Sequence, residues 1–314
     1  MEYDIYHDES KEDAYWHCFL FIPKENRSII LEELKEIRSK IEGNIHFCQL
    51  NSKKAGTKIN GCKSLLSTIS SSFQQVDKGK MEPFFKYNKT QYCNNSKRKF
   101  SEYGTFQISP KVKIAIFHQK NNHDDMNFGD ALSRIETTFR MGLQGAKHYL
   151  FNDNEKIIVD GIYIDGFEHY KIASGREFDI DKVKQKLVNN SRDYVTFKES
   201  FHILDGKIND DDKLFLDIID LFLGTFRLNY LFKKGDKSII DDNRYILFKS
   251  IEGVINKMSD GPIRMKNSRF KNFGSFSSGS IEKGVWKFEN IIEELKKFEK
   301  NSKKEKDDKI MSLF

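Results

Sequence analysis

The run Tyr3-Asp4-Ile5-Tyr6-His7-Asp8-Glu9-Ser10 places two adjacent carboxylates at the end of a short strand-like segment. Acidic residues are poor strand formers, so a pair at this position needs a reason. Turn punctuation is one, because Asp, Glu and Ser commonly end strands. Metal-dependent phosphoryl transfer is the other, and two further acidic features favour it. Asp160 ends the apolar run Ile157-Ile158-Val159, with Asp165 five residues on. Asp217 and Asp220 stand three apart within the apolar stretch from Leu216 to Gly224 and so share a helix face. Carboxylates in an apolar helix are costly to bury unless they are paired or metal-bound; an acidic side shown to water is the competing explanation.

A hard divalent ion such as Mg²⁺ takes one or two carboxylates and keeps several waters. Two such ions ~3.5–4 Å apart can clamp both oxygens of an in-line phosphoryl displacement. Two strand ends and one helix face could supply the carboxylates. Asp8 and Glu9 alternate to opposite faces of a regular strand, so Asp8 is the safer ligand and Glu9 joins only if the chain bends. Asp160 is favoured over Asp165 because it closes the apolar run. His7 falls on the face opposite Asp8, and His46 could approach the site from a neighbouring element. His118, His123 and His202 show no ligand spacing.

The elements that must position these residues follow from periodicity. Residues 3–8 and 15–22 read as two strands of a hairpin, closed by Pro23. Ile30, Leu34, Ile37 and Ile41 mark a helix from Ser28 to Ile41, with Gly43 as its stop. Asn44–Leu50 is expected as a short strand and Gly61–Val76 as a helix. Val112, Ile114 and Ile116 alternate along a strand from Lys111 to His118. A long helix is expected from Asn127 to Leu150, with Gly142 placed for close packing. Residues 156–165 read as a strand, with Asp160-Gly161 as a bend or tight turn. Residues 181–189 read as helix, Tyr194–Phe197 as a short strand, and 212–233, 243–258 and 281–300 as helices.

Composition sets the frame. The 314 residues suffice for one large or two ordinary domains, and 38% hydrophobic residues, among them 27 Phe, can fill a sizeable core. A net charge of +6 is compatible with a polyanionic partner without requiring one. Residues 77–108 interleave Lys78, Lys80, Lys86, Lys89, Lys97, Arg98 and Lys99 with Phe84, Phe85, Tyr87, Tyr92, Phe100 and Tyr103. This is a solvated excursion or a nucleic-acid contact, where cations meet phosphates and rings stack on bases. The loop 261–277 adds Arg264, Lys266, Arg269 and Lys271. Cys18, Cys48, Cys62 and Cys93 lack zinc-site spacing and read as free thiols of a reducing cytosol. No apolar run approaches the ~20 residues of a membrane span, and the amino-terminal residues lack a signal-peptide pattern. A cytoplasmic protein is expected.

Ile5-Tyr6-His7-Asp8-Glu9-Ser10 resembles the apolar-x-Asp-Glu-Ser-Gly opening of the bacterial domain-of-unknown-function family numbered thirty-eight hundred. Leu216–Gly224 is similar to that family's late Leu-Gln-apolar-Ala-Asp-apolar-apolar-x-Gly helix and sets Asp220 on the family's Asp. Ile157-Ile158-Val159-Asp160 resembles its middle strand and Asp. The resemblance spans roughly residues 1–230. Lys11 stands where Gly is usual, Asp217 where Gln is usual and Ile219 where Ala is usual. What the resemblance implies is an RNase H-like fold with a carboxylate cluster and metal-dependent nuclease activity, in some members near phage-defence or mobile-element genes.

The expectation is therefore an α/β protein, an RNase H-like mixed sheet flanked by helices. The sheet domain would occupy 1–233, with the insertion at 77–108, a helical appendix at 234–300 and a charged tail at 301–314. Asp8, Asp160 and Asp220 would hold Mg²⁺ or Mn²⁺, with Glu9 and Asp217 completing the catalytic set. The substrate would be DNA or RNA. A protein partner on the carboxyl-terminal helices and a non-catalytic nucleic-acid-binding or protein-interaction module are the alternatives to catalysis. A phosphatase or nucleotide hydrolase would share the chemistry, but there is no GxxxxGK[ST] loop for a Walker-type ATPase.

Overall fold

The computed structural model describes residues 1–11, 15–51, 56–72, 112–120, 131–150, 157–164, 185–186, 188, 195–205, 208–259, 274–282, 285–298 and 300. Seven strands form one mixed sheet in the order β5-β4-β1-β2-β3-β6-β7. They are β1 (Glu2–Ser10), β2 (Tyr15–Pro23), β3 (Lys113–Gln119), β4 (Ile157–Ile164), β5 (Val195–Asp205), β6 (Gly274–Glu282) and β7 (Val285–Asn290). β1, β2 and β3 pair antiparallel in sequence order, while β4 lies parallel to β1 and β5 parallel to β4. β1 is thus an interior strand, where the antiparallel hairpins meet the parallel pair β4 and β5.

Among the described residues, helices α1 (Arg27–Arg38), α2 (Gly56–Ser72), α3 (Ala131–Leu150), α4 (Asp210–Lys234) and α5 (Phe248–Ser259) carry apolar faces to the sheet and to one another, with a further helical stretch at 291–298. α3 covers one side of the sheet. Its Ile135, Phe139 and Ala146 pack with Ile5, Phe19 and Ile162. Gly142 permits this approach, because a Cβ there would lie 2.8 Å from the Phe19 ring and 3.0 Å from Phe117 Cβ. The buried Lys113 donates its ammonium to the Leu150 carbonyl at 2.6 Å, which satisfies an acceptor at the helix end.

α4 covers the other side and is itself covered. Its sheet-facing Phe215, Phe222 and Phe226 are fully buried. Its far side meets α1, α2, α5 and the tight 3₁₀ turn Phe47–Asn51. A helix apolar all round is a buried helix, so the near-continuous run from Leu214 to Tyr230 reflects a three-sided enclosure. Asn209 caps α4 by accepting the Asp212 amide N–H at 2.9 Å. No described helix is long and apolar enough to cross a membrane.

Several expectations change. Asn44–Leu50 is not a strand but ends in the 3₁₀ turn at Phe47. Asp160-Gly161 does not reverse the chain. β4 runs through it, with a register shift against both β1 and β5. The segment after 234 is not wholly helical, because β6 joins β3 in parallel and β7 returns antiparallel, so residues 274–290 extend the sheet. Among the described residues, helix follows at 291–298 and at 300. The basic segment 77–108, most of the loop 261–277, the greater part of 181–189 and the tail 301–314 lie outside the described residues.

Candidate functional site

Strand alternation separates the opening pair. Asp8 shares a face with Asp4, Tyr6 and Ser10, the side covered by α4; Glu9 shares the α3 side with Ile5 and His7. Asp8 is half-buried opposite Cys18, and its charge adds to burial in pushing that thiol well above its ordinary pKa. Glu9 is half-buried opposite His17.

Asp160 is not beside them. It falls in the β4 segment that flanks Tyr3 and Asp4. Asp8 is four residues further along β1, about 13 Å at strand rise. The Asp160 carboxylate is met by the Lys24 ammonium and by Lys198 at 3.3 Å, and Lys198 also reaches Glu2 at 2.8 Å. This is a charge-balanced cluster at the amino end of β1. Asp165, the alternative ligand, lies outside the described residues.

Asp217 and Asp220 turn toward the outer helices. Asp217 is buried, with Arg38 Nε 4.0 Å away, and burial lifts its pKa to about 6 against the pull of Lys213 and Arg38. Asp220 accepts the Phe47 amide N–H at 2.7 Å and has His46 Nδ1 at 3.7 Å. His46 therefore does approach an acidic residue, from the 47–51 turn. Four residues on, one turn along the same side, Gly224 lies under the Phe47 ring, which an added Cβ would strike. Asp220 and Gly224 together seat that turn on α4.

Among the described residues, no three of Asp8, Glu9, Asp160, Asp217 and Asp220 bring ligand oxygens together. The group of three potential ligands that does converge is His7, Glu9 and His17, whose ligand atoms lie within 4.8 Å of one another. The set Asp8, Asp160 and Asp220 thus does not fit a shared magnesium or manganese centre.

A second polar network escaped the sequence reading. Asp212, buried at the start of α4, accepts from Tyr6 Oη at 2.5 Å, Arg27 Nη2 at 2.7 Å and Asn209 Nδ2 at 2.8 Å. Arg27 Nε lies 3.8 Å from the buried Asp4 carboxylate. These contacts fix α4 against β1 one turn before Asp217. In sequence, Asp210-Asp211-Asp212 reads as favourable charge at a helix start; which of the three turns inward depends on where the helix docks.

No protein-family profile, curated protein or solved structure matches the chain.

Proposed function

We propose that the protein is a metal-dependent nuclease of the RNase H-like class that hydrolyses phosphodiester bonds of DNA or RNA, with Asp8 as its central carboxylate. The observation that carries this reading is the position of Asp8. It sits near the carboxyl end of the interior strand β1, where the antiparallel strands β3-β2-β1 meet the parallel strands β4 and β5. In open α/β sheets, ligands bind beyond the carboxyl ends of strands where the topology switches. Three sequential antiparallel strands followed by two parallel crossovers also support the RNase H-like assignment. Asp160 has no part in this centre, since it lies at the opposite end of β1 and is held by two lysines. Asp220 and Asp217 serve the packing of α4. A magnesium or manganese ion needs only one or two protein carboxylates. Asp165, five residues beyond Asp160 in the sequence, is the second residue to test.

The engagement of Asp160, Asp212 and Asp217 by lysine and arginine favours a second reading, a non-catalytic nucleic-acid-binding or protein-interaction module on the same fold. Incubation of the purified chain with labelled single- and double-stranded DNA and with RNA, with Mg²⁺ or Mn²⁺, separates the two. The nuclease reading expects cleavage that falls at least about a hundredfold in Asp8→Ala and Asp165→Ala and persists in Asp160→Asn. Folded protein that cuts none of these substrates with either ion overturns it.

A further inference from the structure

The α3 side of the β1–β2 hairpin carries a group that the proposed nuclease centre does not use. His7 and Glu9 lie two apart on β1 and so share a face, and His17 stands directly across from Glu9 on β2. Both imidazoles are fully buried, while Glu9 reaches the half-buried rim of the sheet. His7 Nε2 is 2.9 Å from His17 Nδ1, and the Glu9 carboxylate completes the group.

The rings are held by their surroundings. His7 packs 5.0 Å from the Phe19 ring and edge-on to Phe139 at 4.8 Å. His17 Nε2 lies 2.6 Å from Thr138 Oγ1 on α3, and the Thr138 hydroxyl donates to the Arg134 carbonyl at 2.9 Å. A hydroxyl has one proton. With that proton given to Arg134, the Thr138 oxygen accepts from His17, whose proton must then sit on Nε2. The Nδ1 lone pair of His17 is left facing His7 and Glu9. This is how metal-binding histidines are usually oriented, by a hydrogen bond from the ring nitrogen that does not touch the ion.

The spacing suits an ion. Two nitrogens each about 2.1 Å from one metal stand about 3.0 Å apart at the right angle of an octahedral site and about 3.4 Å apart at the tetrahedral angle of zinc, and the observed 2.9 Å lies nearer the first. An N–H···N bond between the imidazoles would have the same length, but it makes no use of Glu9. Both rings are fully buried in the sheet interior. Lys11, on the same side of the strand end, is one cation that senses Glu9.

We propose that His7, Glu9 and His17 bind one divalent first-row transition ion, of the zinc or iron(II) kind, on the face of the sheet opposite Asp8. Two imidazoles and one carboxylate select such an ion over Mg²⁺, which wants oxygen ligands. Three protein ligands leave positions for water toward the rim. Thr138 is a positioning residue, acting through His17. The site stands on its own contacts and does not depend on whether Asp8 supports cleavage.

The test is titration of the full, chelator-stripped chain with Co²⁺, read by its visible absorption bands. The expected result is one equivalent bound, displaced by Zn²⁺ and not by excess Mg²⁺, with the same bands in Asp8→Asn. Glu9→Gln and Thr138→Val should weaken Co²⁺ binding by at least about tenfold, and His17→Gln should remove the bands. Glu9 is half-buried and Thr138→Val keeps the side-chain volume, so these two variants test the site even if His17→Gln fails to fold. No cobalt bands in the wild-type chain, or bands unchanged in folded Glu9→Gln and Thr138→Val, overturns the proposal.

Discussion

A buried carboxylate shows its environment in how stability varies with pH, and Asp217 is the clearest case. Its folded pKa is raised to about 6, above the ordinary value of 3.8. The folded state therefore binds the proton more tightly than the unfolded chain. Asp217 favours the folded state most at low pH, and that advantage is lost as pH rises from about 4 to about 6. The buried, neutral His17 and His118, both depressed to about 3, have the opposite sign: their contribution is present above pH 6.5 and is lost as pH falls. Asp217→Asn should thus raise stability at pH 7.5 by on the order of 2 kcal/mol, with the gain shrinking toward pH 4, as measured by urea unfolding across that range. Much at this scale was legible in the sequence. Alternation along β1 already separated Asp8 from Glu9, and the apolar neighbours of Asp217 pointed to its burial. Asp160 was not legible. Its distance from Asp8 depends on the register of the parallel β1–β4 pair, which no local pattern encodes. Nor was the His7–His17 contact, because the cross-strand partner of Glu9 is set by the number of residues between the two strands.

The elements were read best where periodicity is strong. β1, β2, β3 and α1 to α4 appear close to their expected places because alternation and 3.6-residue spacing each specify a buried face. The errors fall where the surroundings decide. Asn44–Leu50 has strand-like composition, but Asp220 holds the Phe47 amide and draws the chain into a 3₁₀ turn. Residues 274–290 looked like loop and helix, yet the unpaired side of β3 takes them as strands; pairing partners outweigh the modest propensities of Ser and Gly. The close fit of that 3₁₀ turn on α4 gives a prediction. Gly224→Ala would drive a Cβ into the Phe47 ring, which also carries the Arg244 guanidinium 4.8 Å from its centroid. A loss of roughly 1–3 kcal/mol is expected despite the better helix propensity of Ala. Chemical denaturation reads the loss, and Phe47→Leu in the same background should recover part of it. The Gly at the end of the late helix motif then has a packing reason independent of catalysis.

At the level of the whole molecule, β6 and β7 bind the carboxyl-terminal part of the chain to the sheet that carries Asp8. A chain ended at residue 273 would leave the outer edge of β3 without its partner. Exposed edges invite pairing with other chains, so the shortened protein should aggregate, or its amides at 114–119 should exchange with solvent far faster than in the full chain. A soluble fragment with undiminished protection at β3 would show that the edge is covered by something else. The overall α/β class was legible from the alternation of strand and helix patterns. That the sheet extends through β6 was not, because Ile114 and Gly274, which pair, are roughly 160 residues apart. The same separation bears on how the protein comes into being. During synthesis the β1–β2 hairpin is made before its outer partners, so that β1 waits for β4 and β3 waits for β6. Such high contact order slows folding and leaves half-built sheets exposed for the whole interval. β3 in particular gains its second neighbour only when residues 274–282 have been made, which makes this a chain whose yield in the cell should depend on chaperones and on the pace of translation.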